Sequence, residues 1–108
     1  MTSFAAVIAI VAQDFGVTAA EVTGTGQEQR VAEPRQIAMY LCRRARPKAG
    51  VRRIGDVFGR AGNTVCRSVH LVERRRRAPA IDALLSRLEA RLDAVRTPFE
   101  TKEISHVR

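Results

Sequence analysis

Lysine and arginine, the residues that bind phosphate groups, are concentrated in the middle of this 108-residue chain. Residues 43–77 hold twelve lysines and arginines against two acidic residues, a net charge of +10. The net charge of residues 1–42 is −2 and that of residues 78–108 is zero, which together give the formal net charge of +8. A positive field focused in this way is typical of proteins that bind a polyanion. A solvated helix surface is the alternative interpretation. Nucleic acid is therefore the first candidate partner.

Within this block, residues 63–77 predict a helix with one apolar and one polar side. Helical spacing puts four residues toward the core: Val65, Cys66, Val69 and Val72. The opposite side carries Thr64, Arg67, Ser68, Leu71 and Arg75. That side has the size and chemistry to enter a DNA major groove, where Arg67 can bridge a guanine and the Thr64 methyl group can contact thymine. We therefore interpret this helix as a recognition helix.

The ends of the same helix carry residues with two interpretations each. Asn63 and Thr64 suit helix capping, base contact or both. Arg74 and the three arginines after it suit phosphate contacts. They equally suit a solvated helix C-terminus, where cations are favoured.

The residues before this helix predict the first half of a helix-turn-helix. Residues 51–58 predict a short helix with Ile54, Val57 and Phe58 turned inward. Residues 59–62 then predict a turn whose two glycines can adopt positive φ, with Asn63 as the N-cap of the next helix. Three arginines lie on the first helix and the turn, where such motifs contact backbone phosphates: Arg52, Arg53 and Arg60.

The remaining segments also predict helices, and none shows the alternation of a strand. Ser3 caps a helix that ends near Phe15, and a capping box at Thr18 opens a short one. Residues 24–29 predict a polar loop, followed by a third helix with Glu33 near its cap and Pro34 in its first turn. Residues 80–95 predict a last helix whose apolar stripe packs on the body or on a partner: Ile81, Leu84, Leu85, Leu88, Leu92 and Val95.

These elements predict an all-α fold, a compact bundle of five to six helices in a single domain at residues 1–96, with a flexible tail at 97–108. Both cysteines, Cys42 and Cys66, are expected as buried thiols in a reducing cytoplasm. The apolar run at residues 4–12 is too short to span a bilayer, so we expect no membrane contact. His70 and His106 are isolated, and we expect neither an enzyme nor a metal or other cofactor.

Four segments, taken together, resemble a known family. They are VAQDFGV at residues 11–17, EPRQIAMYL at 33–41, IGDVFG at 54–59 and RAGNTV at 60–65. These are similar to the family motifs V-A-x-x-[FY]-x-[IV], R-P-R-Q-x-A-M-x-L, I-G-x-x-F-G and R-D-H-T-T-V. They belong, in that order, to the C-terminal DNA-binding domain (domain IV) of the bacterial chromosomal replication initiator DnaA. The resemblance covers roughly residues 5–92.

The resemblance implies recognition of boxes at replication origins by double-stranded DNA binding. It implies a helix-turn-helix in the major groove, a basic loop in the minor groove and DNA contacts by the R-Q pair, here Arg35 and Gln36. This chain departs from the pattern at Ala61-Gly62-Asn63, which replaces D-H-T, and its turn is one residue shorter. The basic loop is reduced to GQEQR at residues 26–30, with Arg30 as its only cation.

Three functions follow as hypotheses. The first is sequence-specific binding of duplex DNA, in a cytoplasmic, nucleoid-associated protein. The second is a protein–protein adaptor or transcriptional regulator that keeps the fold with altered specificity, with a protein partner or a second copy bound through the last helix. The third is RNA binding, which the scarcity of aromatic residues disfavours. Residues 1–108 contain no phosphate-binding G-x-x-x-x-G-K-[ST] loop, so we expect no ATPase activity from them.

Overall fold

The computed structural model describes residues 2–96, and these residues form six α-helices without a strand. The helices are α1 Phe4–Phe15, α2 Ala19–Thr23, α3 Gln29–Ala45, α4 Val51–Phe58, α5 Gly62–Arg75 and α6 Pro79–Arg96. The predicted all-α class and helix number are confirmed. The predicted tail at residues 97–108 lies outside the described residues, and the division into a domain and a tail stays a prediction.

The first two helices begin where the local sequence predicts. The Ser3 hydroxyl accepts a hydrogen bond from the backbone N–H of Ala6 at 3.1 Å, and Gly16 ends α1 in the left-handed region at φ 70°. In α2, Thr18 and Glu21 accept each other's backbone N–H at 3.0 Å in a complete capping box. Such caps satisfy N–H groups that the helix itself cannot bond. Short-range chemistry therefore fixes both starts.

Helix α3 forms the centre of the bundle and packs against α1, α2, α4 and α5. Its side chains Met39, Tyr40 and Leu41 are among the largest fully buried ones, and Val7 and Val11 of α1 are also fully buried. Burial of each such aliphatic side chain contributes about 1.5–3 kcal/mol to folding before entropy is counted. This core is the base on which α4 and α5 rest.

The start of α3 was predicted too late. The helix begins at Gln29, so Pro34 lies inside it rather than in its first turn, and the predicted loop loses its last residue to the helix. Proline removes one backbone hydrogen bond in a helix interior. Here Val31, 3% exposed, packs into the protein from the turn before the proline. Tertiary packing of this turn offsets the lost hydrogen bond.

Helix α5 begins at Gly62 with Ala61 as N-cap, so the prediction of Asn63 as the cap is wrong. Only one glycine of the turn, Gly59, has positive φ, at 65°. The backbone N–H of Arg60 donates to the Gly55 carbonyl at 2.8 Å, which closes the turn two residues after the end of α4. The turn is therefore short, and α5 begins at Gly62, one residue before the predicted cap Asn63.

Val57 and Cys66 lie opposite to their predicted sides. Val57 is 38% exposed, because α4 turns Ile54, Gly55 and Phe58 inward instead. Cys42 is buried but Cys66 is exposed, since the residue after buried Val65 is rotated by about 100° around the helix axis. The expectation of two buried thiols is therefore wrong for Cys66.

Helix α6 covers the bundle with part of its apolar stripe. Leu85, Leu88 and Leu92 are buried, and Ile81 and Leu84 pack partly against the core. Val95 is 56% exposed, so the prediction that the stripe continues to this residue is wrong. Most of the stripe is used within the chain itself, through packing of α6 on α1.

Among residues 2–96, no helix combines the length and apolar character required to cross a membrane.

Candidate nucleic-acid interface

The predicted helix-turn-helix is formed by α4, the turn after it and α5. The turn lies directly on α4, since a Cβ atom added to Gly55 would be 2.3 Å from the Arg60 carbonyl oxygen. Real Cβ atoms do not approach a backbone atom so closely, so glycine is the residue that this packing requires. The N-terminus of α5 lies against that of α4, because a Cβ on Gly62 would be 3.5 Å from the Cα of Arg52. These two close approaches fix the angle between the helices.

One line of side chains on α5 points away from the core. It consists of Asn63, Arg67, His70 and Arg74, and we refer to it as the outward line. All four are exposed and recur at helical spacing. The opposite side of the helix is buried at Val65, Ser68 and Val72. The predicted place of Ser68 on the outer side is therefore wrong, because it lies three residues from Val65 and four from Val72, on the same buried face.

The flank of α5 toward α3 holds the other predicted residues of this helix. Thr64 and Leu71 are half-buried there, and Arg75 is exposed with its guanidinium 3.7 Å from the Glu33 carboxylate. The ion pair is exposed and weak. It leaves Arg75 able to reach a nearby phosphate.

Arg52 of α4 lies beside the start of α5, as the contact between its backbone and Gly62 shows, and Arg53 follows it on the same helix. Both side chains are exposed, and within residues 2–96 neither takes part in an ion pair or side-chain hydrogen bond. Arg67 and Arg74 of the outward line are equally free of such partners in the same part of the chain. Four guanidinium groups of the helix-turn-helix thus face solvent.

Arg35 is buried, only 5% exposed, although sequence analysis placed it among the DNA contacts. Its donors bond to backbone carbonyls of α2 and of the loop after it: Nε to Val22 at 2.8 Å and Nη2 to Glu21 at 2.9 Å in α2, and Nη1 to Gly26 at 2.7 Å in the loop. Burial, and secondarily the charge of Arg60, lower the pKa of this guanidinium. Arg35 is thus placed to hold the loop between α2 and α3.

Arg60 holds the same loop from the other side. Its Nη1 donates to the Gly24 carbonyl at 2.9 Å and to the Phe58 carbonyl at 2.7 Å. The turn of the helix-turn-helix and the α2–α3 loop are therefore joined through one guanidinium. Arg60 is half-buried as a result.

Arg30, the only cation of the reduced loop motif, is neutralised by an ion pair. Its guanidinium donates to the Glu21 carboxylate at 2.8 Å and lies 4.0 Å from that of Glu28. The hydrogen bond from Arg30, together with the backbone N–H of Thr18, lowers the pKa of Glu21. Gln36, the remaining predicted contact, is half-buried on α3. The α2–α3 loop thus presents little free positive charge.

Sequence analysis missed two features of α5. His70 lies on the outward line, which the spacing i, i+4, i+7 and i+11 from Asn63 would have shown.

Arg76, just after α5, is only about one-fifth exposed and binds Asp82 at 2.7 Å and Glu89 at 2.9 Å. Its Nη1 also donates to the Tyr40 hydroxyl at 2.8 Å. Arg76 therefore joins α3, α5 and α6, and its charge is not free.

Residues 2–96 contain no cluster of three or more His, Cys, Asp or Glu side chains placed to hold a metal ion.

Comparison with known proteins matches the chain to the family model described as the bacterial dnaA protein helix-turn-helix, over residues 4–72. The match runs from the start of α1 into α5, so α6 lies beyond it. The resemblance predicted from the sequence motifs extends further along the chain than this match, to about residue 92.

Several chromosomal replication initiator proteins DnaA are similar to part of this chain. Identity is 42% over 69 residues with one from Chlamydia pneumoniae, covering 64% of this chain and 15% of that protein. It is 37% over 68 residues with one from Protochlamydia amoebophila, covering 63% and 15%. It is 41% over 63 residues with one from Mycobacteroides abscessus, covering 58% and 13%. The match thus covers about one-seventh of these relatives. This chain belongs to the family of bacterial DnaA helix-turn-helix domains.

Proposed function

We propose that this chain is a sequence-specific reader of double-stranded DNA that places α5 in the major groove at replication-origin or related sites. Membership of the family implies DNA binding. The observation that carries the finer proposal is the outward line of α5, which exposes Asn63, Arg67 and Arg74 opposite a buried apolar face. A helix that is anchored on one side and polar on the other is the form that enters a major groove.

The proposal gives the predicted residues separate roles. Asn63, Thr64 and Arg67, in the first two turns of α5, contact base edges, since recognition helices read bases with their N-terminal residues. Phosphates are contacted by Arg52 and Arg53 and, further along, by Arg74 and Arg75. Arg35 and Arg60 act by holding the α2–α3 loop. Arg30, in the first turn of α3, and Gln36, further along that helix, contact the duplex only where the duplex extends past α3.

Selection of duplexes from a random pool tests this proposal directly. Recovery of an origin-type box supports a role at replication origins, and recovery of a different consensus sequence supports the role of a diverged regulator. Absence of duplex binding at low salt contradicts the proposal as a whole.

A matched pair of charge variants then tests the placement of α5. Arg67→Ala should weaken binding to the selected duplex by about 1–3 kcal/mol, the cost of one good base contact. Arg87→Ala removes the same charge from α6, where Arg87 lies 3.0 Å from Asp14 of α1, away from α5. This control should bind nearly as well as the original chain. Equal losses in both variants would contradict a specific contact at Arg67.

A protein–protein adaptor or transcriptional regulator is the second candidate, and the neutralised α2–α3 loop favours it, since a loop without free cations contributes little to DNA affinity. Its predicted docking stripe on α6 is mostly buried within the chain, so a partner or second copy would meet only its end, near Val95. Equal affinity for all duplexes together with a tight protein partner would support the adaptor. The DNA-binding proposal assigns no ATPase or other catalysis to this chain and implies a cytoplasmic, nucleoid-associated location.

A further inference from the structure

We propose that His70 contacts DNA from the outward line of α5 and that protonation of its imidazole strengthens the complex. This inference rests on the proposed function. His70 lies one turn after Arg67 and one turn before Arg74, so the three side chains succeed one another along about 10 Å of helix. Its side chain is 64% exposed. A duplex that both arginines contact must also meet the imidazole between them.

The surroundings of His70 leave one ring nitrogen available. Nδ1 lies 3.3 Å from a carboxylate oxygen of Glu73, and Nε2 has no partner within the described residues. The charged groups around the imidazole are Glu73, Arg74 and Arg77, which line a shallow depression with it. All lie on α5 or just after it. Within residues 2–96, no charged side chain of α3, α4 or α6 lines this depression. The charged groups that act on His70 are therefore those on the outer surface of α5 and just after it.

The chemistry of DNA favours the protonated ring at this position. Guanine presents only acceptors, O6 and N7, at its major-groove edge, and phosphate oxygens are also acceptors. A neutral imidazole has one donor, whereas an imidazolium has two. The negative phosphates of a bound duplex attract an imidazolium, an interaction that the free chain lacks, so binding and uptake of one proton favour each other.

The test is a fluorescence anisotropy titration of the full chain with its selected duplex between pH 5.5 and 7.5, at constant ionic strength. Histidine is the side chain whose charge changes in this range. We expect affinity to rise about tenfold as the pH falls, the gain from one further neutralised phosphate at moderate salt. The slope of log affinity against pH should not exceed one proton.

Three variants separate His70 from other causes. His70→Gln should remove the pH dependence, and His70→Arg should bind tightly at both ends of the range. His106→Gln is the matched control, since the chain has two histidines, and it should keep the pH dependence. Circular dichroism checks that each variant is folded. Replacing the contacted guanine by 7-deazaguanine removes the N7 acceptor and keeps O6: loss of the pH-dependent part assigns the contact to N7, and its persistence assigns it to O6 or to a phosphate.

Two results would overturn the inference. One is tight binding of the original chain that does not change with pH, and the other is an unchanged pH dependence in His70→Gln. Either result leaves the proposed function standing, because binding itself is observed. Failure to bind any duplex at any pH and low salt overturns the proposed function and this inference together.

Discussion

The arginines around the α2–α3 loop differ from those on α4 and α5 in what their guanidinium groups contact. Arg35 and Arg60 donate to backbone carbonyls, and Arg30 is paired with Glu21. We refer to these three as the loop arginines. The other set, which we call the free arginines, has no ion pair or side-chain hydrogen bond within residues 2–96: Arg52, Arg53, Arg67 and Arg74. Both sets carry the same formal charge.

The comparison shows that a charge count does not locate a binding surface. A buried guanidinium whose donors are bonded to carbonyls satisfies backbone acceptors that would otherwise be left without partners. An exposed one keeps its five donors for a phosphate or a guanine. The loop arginines therefore contribute to the fold, and the free arginines remain for a ligand. Four variants or measurements test this distinction.

The largest effect is expected at Arg35. Arg35→Ala should lower the free energy of unfolding by about 3 kcal/mol, because three backbone carbonyls lose their donor at a largely buried site. Urea denaturation measures this loss, and Arg35→Lys should recover little of it, since an ammonium cannot reproduce the planar arrangement of donors. Unchanged stability combined with lost DNA binding would contradict this and make Arg35 a direct contact.

The second effect concerns binding instead of stability. The double variant Arg52→Ala, Arg53→Ala should lose about fiftyfold in duplex affinity at 100 mM salt and should reduce the salt slope of log affinity by about two. Its free energy of unfolding should stay within about 0.5 kcal/mol of the original, since both side chains are exposed. A fall in stability comparable to that of Arg35→Ala would erase the distinction between the two sets.

The third effect concerns Arg76, whose guanidinium is bound by Asp82 and Glu89 of α6. Glu89→Gln should lower the free energy of unfolding by about 1 kcal/mol at neutral pH, by weakening charge-assisted hydrogen bonds in a half-buried network. The hydrogen bond from Arg76, and further that from Arg44, lower the pKa of Glu89. The stabilisation by this carboxylate is therefore present above the unfolded pKa of about 4.3 and is lost as pH falls below it. The original chain should lose its advantage over Glu89→Gln below about pH 4, and an advantage that persists in acid would contradict this origin.

The smallest perturbation is a chemical probe of the two thiols. Burial raises the pKa of the Cys42 thiol to about 12, so this residue should react with a disulfide reagent only on unfolding. Cys66 is exposed on α5 and should react in the folded chain. One fast thiol that disappears in Cys66→Ser is the expected result, and a duplex should slow its reaction by covering α5. Two fast thiols would mean that the core around α3 opens readily.

Much of the fold was predictable because its signals are local. The caps at Ser3 and Thr18 and the left-handed Gly16 and Gly59 lie within a few residues of the helix ends that they determine. Prediction failed where distant contacts decide. The start of α3 depends on packing around Pro34, and the inner face of α5 depends on how that helix rests on α3, which turns Ser68 inward.

The candidate site divides in the same way. The helix-turn-helix, the family resemblance and the position of the basic block were predictable, because they depend on residue types and spacing along one chain. Which arginines are available for a ligand depends instead on how the helices pack. The carbonyls that hold Arg35 belong to residues 9 to 14 positions away, and those that hold Arg60 include one 36 positions away. Hydrogen bonds across such separations exist only once the helices have packed, and they leave the outward line of α5 and its neighbours on α4 with the free positive charge.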